Sequence, residues 1–338
     1  MRLVVTGGLG YIGSHCSVAL AREGHRLRIV DNLANSKPSV LERIRELAPG
    51  AAIDFVQADM RDAAAMERVF AGAGADAVLH FAGLKSVRES VADPARYHDN
   101  NVGGTKALLA AMEHHGVERI VFSSSATVYG DSESLPYTER HPLKPSNPYG
   151  ETKLAVERLL EVRAAANASF RYAALRYFNP IGAHPSGRIG EDPRGTPENL
   201  LPYLTRVALG RMPRLRVFGG DYDTVDGTGV RDYLHVMDLA AGHLAALRHL
   251  AGRPRSITVN LGTGRGHSVL EVIRAFEAAT GRKVPYEIVA RRAGDVAASY
   301  ADATLAEHEL GWRAQLGIED MCRDAWRWQS DNPNGYPD

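Results

Sequence analysis

Tyr149 and Lys153 stand four residues apart in Asn147-Pro-Tyr-Gly-Glu-Thr-Lys153, at the head of a helical pattern that continues through Leu160. On a helix this spacing puts a phenol and an ammonium on one face. A free phenol titrates near pH 10, too high for a base at neutral pH, and a fixed cation beside it favours the phenolate. Bringing that value to about 7 needs roughly 4 kcal/mol of differential stabilisation, within reach of aligned charges in a dry site. Such a pair can take the proton of an alcohol. The segment Ser123-Ser-Ser-Ala-Thr-Val-Tyr-Gly130 ends an apolar run and brings hydroxyls that can converge on the same alcohol. No nucleophile elbow supports a competing Ser-His-Asp reading.

These groups need a scaffold, and the first half of the chain predicts one. Apolar runs at Arg2–Thr6, Arg26–Asp31, Ile53–Gln57, Ala77–His80, Arg119–Ser123 and Arg171–Leu175 alternate with amphipathic stretches at Tyr11–Glu23, Pro38–Leu47, Ala63–Ala71, Pro94–His115 and Tyr149–Ala165. Alternation of this kind predicts a doubly wound parallel α/β sheet of Rossmann type. After Phe178 Pro and Gly become dense. Helices are expected near Val236–Leu250, Val269–Thr280 and Ile318–Gln329, with strands near Ile257–Leu261 and Val284–Val289. The division expected is a dinucleotide-binding domain at residues 1–180 and a smaller α/β substrate domain at 181–338, with some later segments returning to the first.

Leu3-Val-Val-Thr-Gly7-Gly-Leu-Gly10-Tyr-Ile-Gly13 reads as strand, glycine turn and helix start, the arrangement that seats a pyrophosphate on a helix N-terminus. Asp31 ends the next strand 18 residues after Gly13. A carboxylate there accepts from adenosine ribose hydroxyls and repels a 2′-phosphate, which points to NAD rather than NADP. Asp59 and His80-Phe-Ala-Gly-Leu-Lys85 follow the third and fourth strands, where ligands of such sheets bind.

Composition narrows the class. Forty basic residues balance forty acidic ones, so no global field favours nucleic acid or an anionic membrane. Cys16 and Cys322 form neither a disulfide framework nor a metal spacing, and His114-His115 lacks further ligands at useful spacing, so no metal is expected. No signal-peptide core or twenty-residue apolar run is present, which predicts a soluble cytoplasmic enzyme.

The glycine triplet, the serine strand end and Tyr-x-x-x-Lys together resemble the extended short-chain dehydrogenase/reductase family. Further similarity, in Gly7–His15, Asp31–Val40, His80–Lys85, Ser123–Asp131, Arg176–Gly187, Gly227–Leu239, Arg291–Asp295 and Trp326–Asp338, is to its branch that epimerises UDP-sugars at carbon 4. The resemblance implies that Tyr149 is the base, Lys153 its cationic support and Ser125 the assisting hydroxyl. It also implies that NAD accepts a hydride from carbon 4 and returns it to the other face of a 4-keto sugar. By the same resemblance Gly7, Gly10, Tyr11, Ile12, Gly13, Asp31, Asn32, Asn35, Ser36, Asp59, Met60, Phe81, Ala82, Lys85, Asn100, Ser123, Ser124, Tyr149, Lys153, Tyr177 and Phe178 line the NAD site. The UDP-sugar side takes Lys85, Ser125, Tyr149, Asn179, Asn199, Leu200, Val217, Phe218, Arg231, Tyr233, Arg292, Asp295 and Ser299. Arg231 and Arg292 suit a diphosphate because guanidinium presents a planar fork of donors. A homodimer is also implied, joined by Pro94–His115 and Tyr149–Ala165.

One position departs from the family's narrow-specificity pattern. Ser299 replaces a tyrosine ring, which leaves space for an acetamido group and predicts activity on UDP-N-acetylglucosamine and UDP-N-acetylgalactosamine as well as the plain hexoses. Two other readings compete. A dehydratase or decarboxylase of the same family would begin with the same oxidation, but Ala126 and Thr127 stand where dehydratases carry an acid pair. A non-catalytic NAD-sensing protein would have no need of Ser125, Tyr149 and Lys153 together.

Overall fold

Val, Ile and Leu dominate the short apolar runs, and their side chains fit a pleated sheet buried on both faces. In the structure, a computed structural model that describes residues 1–72, 74–131, 134–253, 255–292 and 294–337, these runs form β1 (Arg2–Thr6), β2 (Arg26–Asp31), β3 (Ile53–Gln57), β4 (Ala77–His80), β5 (Arg119–Ser123) and β6 (Arg171–Tyr177). Next come β7 (Asn179–Ile181), β8 (Leu215–Phe218), β9 (Val230–His235), β10 (Ile257–Leu261), β11 (Gly266–Ser268), β12 (Tyr286–Val289) and β13 (Ala298–Ser299). The main sheet has seven strands in the order β10-β6-β5-β4-β1-β2-β3, paired parallel throughout. The direction of winding reverses between β1 and β4, the switch point at which such sheets open a crevice for ligands. Its last strand, β10, comes from beyond residue 180 and pairs with β6.

Helices α1 (Tyr11–Arg22), α2 (Ser39–Leu47), α3 (Ala63–Phe70), α4 (Val87–Ala92), α5 (Pro94–Tyr97), α6 (Gly104–His114) and α7 (Pro148–Ala166) belong to the first half. In the second half lie α8 (Leu200–Ala208), α9 (Val236–Gly252), α10 (Val269–Thr280), α11 (Thr304–Leu310) and α12 (Ile318–Asp331). One face of the sheet buries Leu3, Val18, Leu239 and Leu247 in a common core, so α9 packs with α1. The other face buries Met66, Phe70, Leu108, Met112, Phe122 and Leu160.

Two differences from the sequence expectation have physical causes. The stretch 94–115 is not one regular helix, because α5 and α6 are separated by a wide π-helical turn at His98–Gly103. Within that turn Asn101 reaches across to the loop after β4. Helix α8 is not among the expected elements; it lies between the Pro- and Gly-dense stretches Asn179–Pro197 and Phe218–Gly229, and its Pro202 stands in the first turn, where a missing N–H does no harm.

The second half adds a sheet of β11, β9 and β13 with β7 on β9, and a separate β8–β12 pair. A third core, including Leu204, Val217, Phe276 and Met321, holds these to α8, α10 and α12. The tail returns to the first half: Lys37 Nζ donates to the Tyr336 carbonyl at 2.7 Å and Ser39 Oγ to that of Pro337 at 2.6 Å. Asp338, at the end of the similar tail segment, and Ala293, inside Arg291–Asp295, lie outside the described residues. No helix among the described residues is long and apolar enough to cross a membrane.

Candidate active site

α7 is started by Asn147, whose side chain accepts from the Gly150 N–H at 2.9 Å, with Pro148 preset for the first helical position. This start aims Tyr149, Lys153 and Glu157 at the carboxyl end of β5, and all three are buried. Ser125 Oγ accepts from the Thr127 N–H at 3.2 Å and the Thr127 hydroxyl at 3.0 Å, and the Ser125 hydroxyl is near enough to Tyr149 to favour its phenolate. Lys153 Nζ donates to the Ser123 carbonyl at 2.7 Å and stands 5.8 Å from the centre of the Tyr149 ring. Burial pushes the phenol up to about 12, and the neighbouring Ser125 hydroxyl works against that rise. Burial likewise draws Lys153 down to about 8, opposed by the charge of Glu157. The expected lowering of Tyr149 by Lys153 is therefore not the balance found. Desolvation dominates both groups, and the lysine gives up its proton before the tyrosine does.

Beneath the pair lies a charged network that the sequence reading did not single out. Ser124 Oγ donates to Glu157 Oε1 at 2.5 Å, and Arg176 clasps both Glu157 oxygens at 2.6 to 3.2 Å. Arg176 Nη1 also donates to the Tyr129 hydroxyl at 3.1 Å, which in turn donates to Asn260 Oδ1 at 2.6 Å. The chain of bonds ties α7 to β5, β6 and β10. Ser124 is fully buried and spent on Glu157, so its hydroxyl faces the interior of the fold. The position of Glu157, four residues beyond Lys153, was the available signal.

On the β1 side the glycine turn is built for close approach. Gly7 has φ +67°, and a Cβ there would stand 2.6 Å from the Ala82 backbone nitrogen, so Phe81–Ala82 lie against the turn. α1 starts at Tyr11 after Gly10 with no side-chain cap and no acidic residue in its first turn, leaving Ile12 and Gly13 in an N-terminus suited to an anion. Asp31 Oδ2 accepts from the Leu9 N–H at 3.1 Å, while Oδ1 accepts from the Leu33 N–H at 3.0 Å and Ser36 Oγ at 2.8 Å. Asn32 reaches Asp59 at 3.0 Å and Asn35 is exposed. The fork of Arg61 on Asp59, at 2.9 and 3.0 Å, holds that carboxyl well below its usual range. Asp59 is thus already partnered, and buried Met60 packs against Gly104. An uncapped helix, a side-chain-free turn and a strand-end carboxylate fit a dinucleotide.

Asn100 is half-buried and donates to Asn101. Asn101 does more. It bonds both Leu84 backbone groups and Thr152 Oγ1, joining the loop after β4 to α7. Tyr11 donates to the Gly182 carbonyl, Tyr177 shares a 2.9 Å hydrogen bond with Ser123, and Phe178 is buried beside Tyr137. Lys85 Nζ and Asn199 Nδ2 each donate to Glu191 Oε1 at 2.8 Å, which makes Glu191 a further group missed from the sequence.

The remaining residues gather on the second half. Asn179 is exposed and pairs in register with Tyr233. Ser299 on β13 is in register with Arg231 on β9. Tyr233 is pushed up to about 12 by burial, with the charge of Arg231 opposing and that of Asp295 adding. Arg292 forks onto Asp295 at 2.9 and 3.2 Å and lies 5.5 Å from the Phe218 ring centre. Val217 is buried in the third core, and Leu200 starts α8, which has no side-chain cap.

The sequence matches the NAD dependent epimerase/dehydratase family over residues 3–262. The chain belongs to that family. It is 53% identical over 336 residues to the UDP-glucose 4-epimerase of Bacillus subtilis (strain 168), covering 99% of each chain. A solved UDP-glucose-4-epimerase from Stenotrophomonas maltophila, with bound NAD and formylated UDP-arabinopyranose, superposes with a TM-score of 0.96 at 54% identity over 99% of both chains. The Bifidobacterium longum UDP-glucose 4-epimerase, in complex with NAD⁺ and UDP, gives a TM-score of 0.96 at 51% identity, covering 99% of this chain and all of that one.

Proposed function

We propose that this protein is an NAD-dependent UDP-glucose 4-epimerase, interconverting UDP-glucose and UDP-galactose through a transient 4-keto sugar. The observation that carries the reading is the gathering of Ser125, Tyr149 and Lys153 at the carboxyl end of β5, on the same sheet edge as the glycine turn and two strands from it. NAD, when bound, supplies a hydride acceptor that can return the hydride. Gly7, Gly10, Gly13, Asp31 and the backbone at Phe81–Ala82 would hold it. Tyr149 would act as the phenolate, a form that burial alone opposes and that the positive charges of Lys153 and of bound NAD⁺ would favour. Its Oη would take the proton of the sugar 4-hydroxyl, Ser125 Oγ–H would steady the developing alkoxide, and the same group would later give the proton back. Lys153, fixed on the Ser123 carbonyl, supplies the positive charge next to that transfer. With Ala126 and Thr127 in place of an acid pair, elimination lacks its proton donors, and reversal of the first step remains.

The division of labour follows the two halves: the seven-stranded sheet carries cofactor, and residues after 180 grip the UDP-sugar through Asn179, Arg231, Arg292 and Asp295. The enzyme works in the cytoplasm. Ser299, short and beside Arg231, leaves room for a 2-acetamido group. Two copies associate through α6 and α7, where Val162 is 69% exposed. Sedimentation should show twice the chain mass, and a monomer at micromolar concentration would overturn the dimer.

A product assay tests the activity. Purified protein given UDP-galactose without added NAD should form UDP-glucose, and Tyr149→Phe should slow it about 10²–10⁴-fold. An unaffected Tyr149→Phe enzyme, or accumulation of a dehydrated keto sugar, would sink the reading. In a parallel arm UDP-N-acetylgalactosamine should also turn over, and Ser299→Tyr should suppress that arm selectively. Equal effects on both sugars would remove the specificity argument.

A further inference from the structure

Helices α3 and α6 lie side by side, locked through Met66, Val69, Phe70, Leu108 and Met112 in one core. At the edge of that contact the structure assembles a group that the chain spacing concealed. His114 Nδ1 lies 2.7 Å and His115 Nε2 2.9 Å from the same atom, Glu67 Oε2. One ligand atom from each of the three residues falls within 4.8 Å of the others. The His115 ring stacks on Phe70, with centres 6.0 Å apart and planes at 23°, and Phe70 is only 2% exposed. One imidazole is therefore held by the core, and Glu67 stands on a helix anchored in it.

We propose that Glu67, His114 and His115 form a binding site for a divalent transition metal ion, Zn²⁺ above all, that cross-links α3 to α6. Two imidazole nitrogens and a carboxylate oxygen are a donor set that zinc takes in sites with an open fourth position, at about 2.0–2.2 Å per bond. Imidazole also selects against Mg²⁺ and Ca²⁺, which want oxygen ligands. The ion takes the place of the two N–H protons that now bridge each imidazole to Glu67, and each proton moves to the far ring nitrogen. All three side chains already converge on one point, so the ion would be admitted by opening the 2.7 and 2.9 Å contacts through side-chain rotation. Among the described residues the ion pairs of Glu67 are with these two imidazoles, so no arginine or lysine has to be displaced. The neighbouring carboxylate of Glu113 is turned away to Arg163, 3.1 Å off.

Calorimetry and thermal melts on untagged, chelator-treated protein decide the matter. Zinc titrated into wild type should bind at one equivalent per chain with a saturable rise in Tm, and magnesium should give neither. Cobalt as a probe should develop visible absorption of a low-symmetry site. His114→Ala changes a side chain that is 73% exposed, so the fold should survive. That variant and Glu67→Gln should each weaken zinc binding at least tenfold while leaving the metal-free Tm close to wild type. Binding that persists unchanged in both variants, or wild type showing no zinc-dependent shift, overturns the proposal.

Discussion

Two arginine forks on carboxylates, one under Tyr149 and one in the second half, have nearly the same bond geometry and opposite surroundings. Arg176 and Glu157 have side chains 5% and 1% exposed, whereas Arg292 and Asp295 are 53% and 21% exposed. In a buried pair the desolvation of each charge is compensated only by the partner and by further hydrogen bonds. Ser124 and Tyr129 supply those bonds, so Arg176–Glu157 cannot be given up to a ligand. An exposed pair is worth about 0–1 kcal/mol, and its arginine can be redirected at small cost. The buried fork thus sets the position of α7, and in the proposed reading the exposed one would be a reserve of donors for an incoming diphosphate.

Breaking the buried fork should have the largest effect. Glu157→Gln leaves Arg176 charged and uncompensated in the interior, and should cost about 3–5 kcal/mol of stability by denaturant melts. Replacing Arg176 by Met in the same protein should recover part of the loss, since no lone charge then remains. A single-variant loss below about 1 kcal/mol would show that water reaches the pair and that the two forks differ less than their burial suggests.

The pH dependence of stability probes the same region with a smaller effect. Lys153 binds its proton more weakly folded, at about 8, than unfolded, at the usual 10.5. Between those values the unfolded chain holds more protons, so stability from this group rises with pH across that window and is flat below it. Tyr149, raised to about 12, acts in the opposite sense only above its unfolded value of 10.0. Melting wild type beside Lys153→Met from pH 7 to 10 isolates the lysine. The wild type should gain on the variant as pH rises, and a gap independent of pH would mean that Lys153 is not desolvated.

The same contrast explains what could be read from the chain. Gly7–Gly13, Asp31, Ser125 and Tyr149–Lys153 are local patterns, each set by a strand, turn or helix whose apolar rhythm is also local, and their strands formed at the expected residues. The network below is not local. Arg176 meets Glu157 from 19 residues away and Asn260 meets Tyr129 from 131 away, so only the assembled sheet reveals them. Asn100 comes from the family resemblance, while the buried bonds of Asn101 depend on a π-helical turn that no regular-helix pattern over residues 94–115 contains. His114 and His115 looked bare because Glu67 lies 47 residues before His114. In the second half, short strands such as β13, with the two residues Ala298–Ser299, carry too little pattern to be recognised singly.

Removing the exposed fork should be the gentlest structural change and the most specific functional one. Arg292→Ala deletes a guanidinium that is half in solvent and leaves Asp295 able to solvate itself, so stability should move by less than about 0.5 kcal/mol. If that guanidinium swings from Asp295 to the substrate diphosphate, the variant loses one charge-assisted contact made equally in ground and transition states. KM for UDP-galactose should then rise about tenfold while kcat stays near wild type, the signature of lost uniform binding. Asp295→Asn offers the complementary measurement: it frees the arginine, so KM should not rise through the diphosphate contact even if ribose recognition weakens. A fall in kcat with unchanged KM in Arg292→Ala would place this arginine in the chemistry, and the distinction between a fixed buried fork and an exchangeable exposed one would fail at this site.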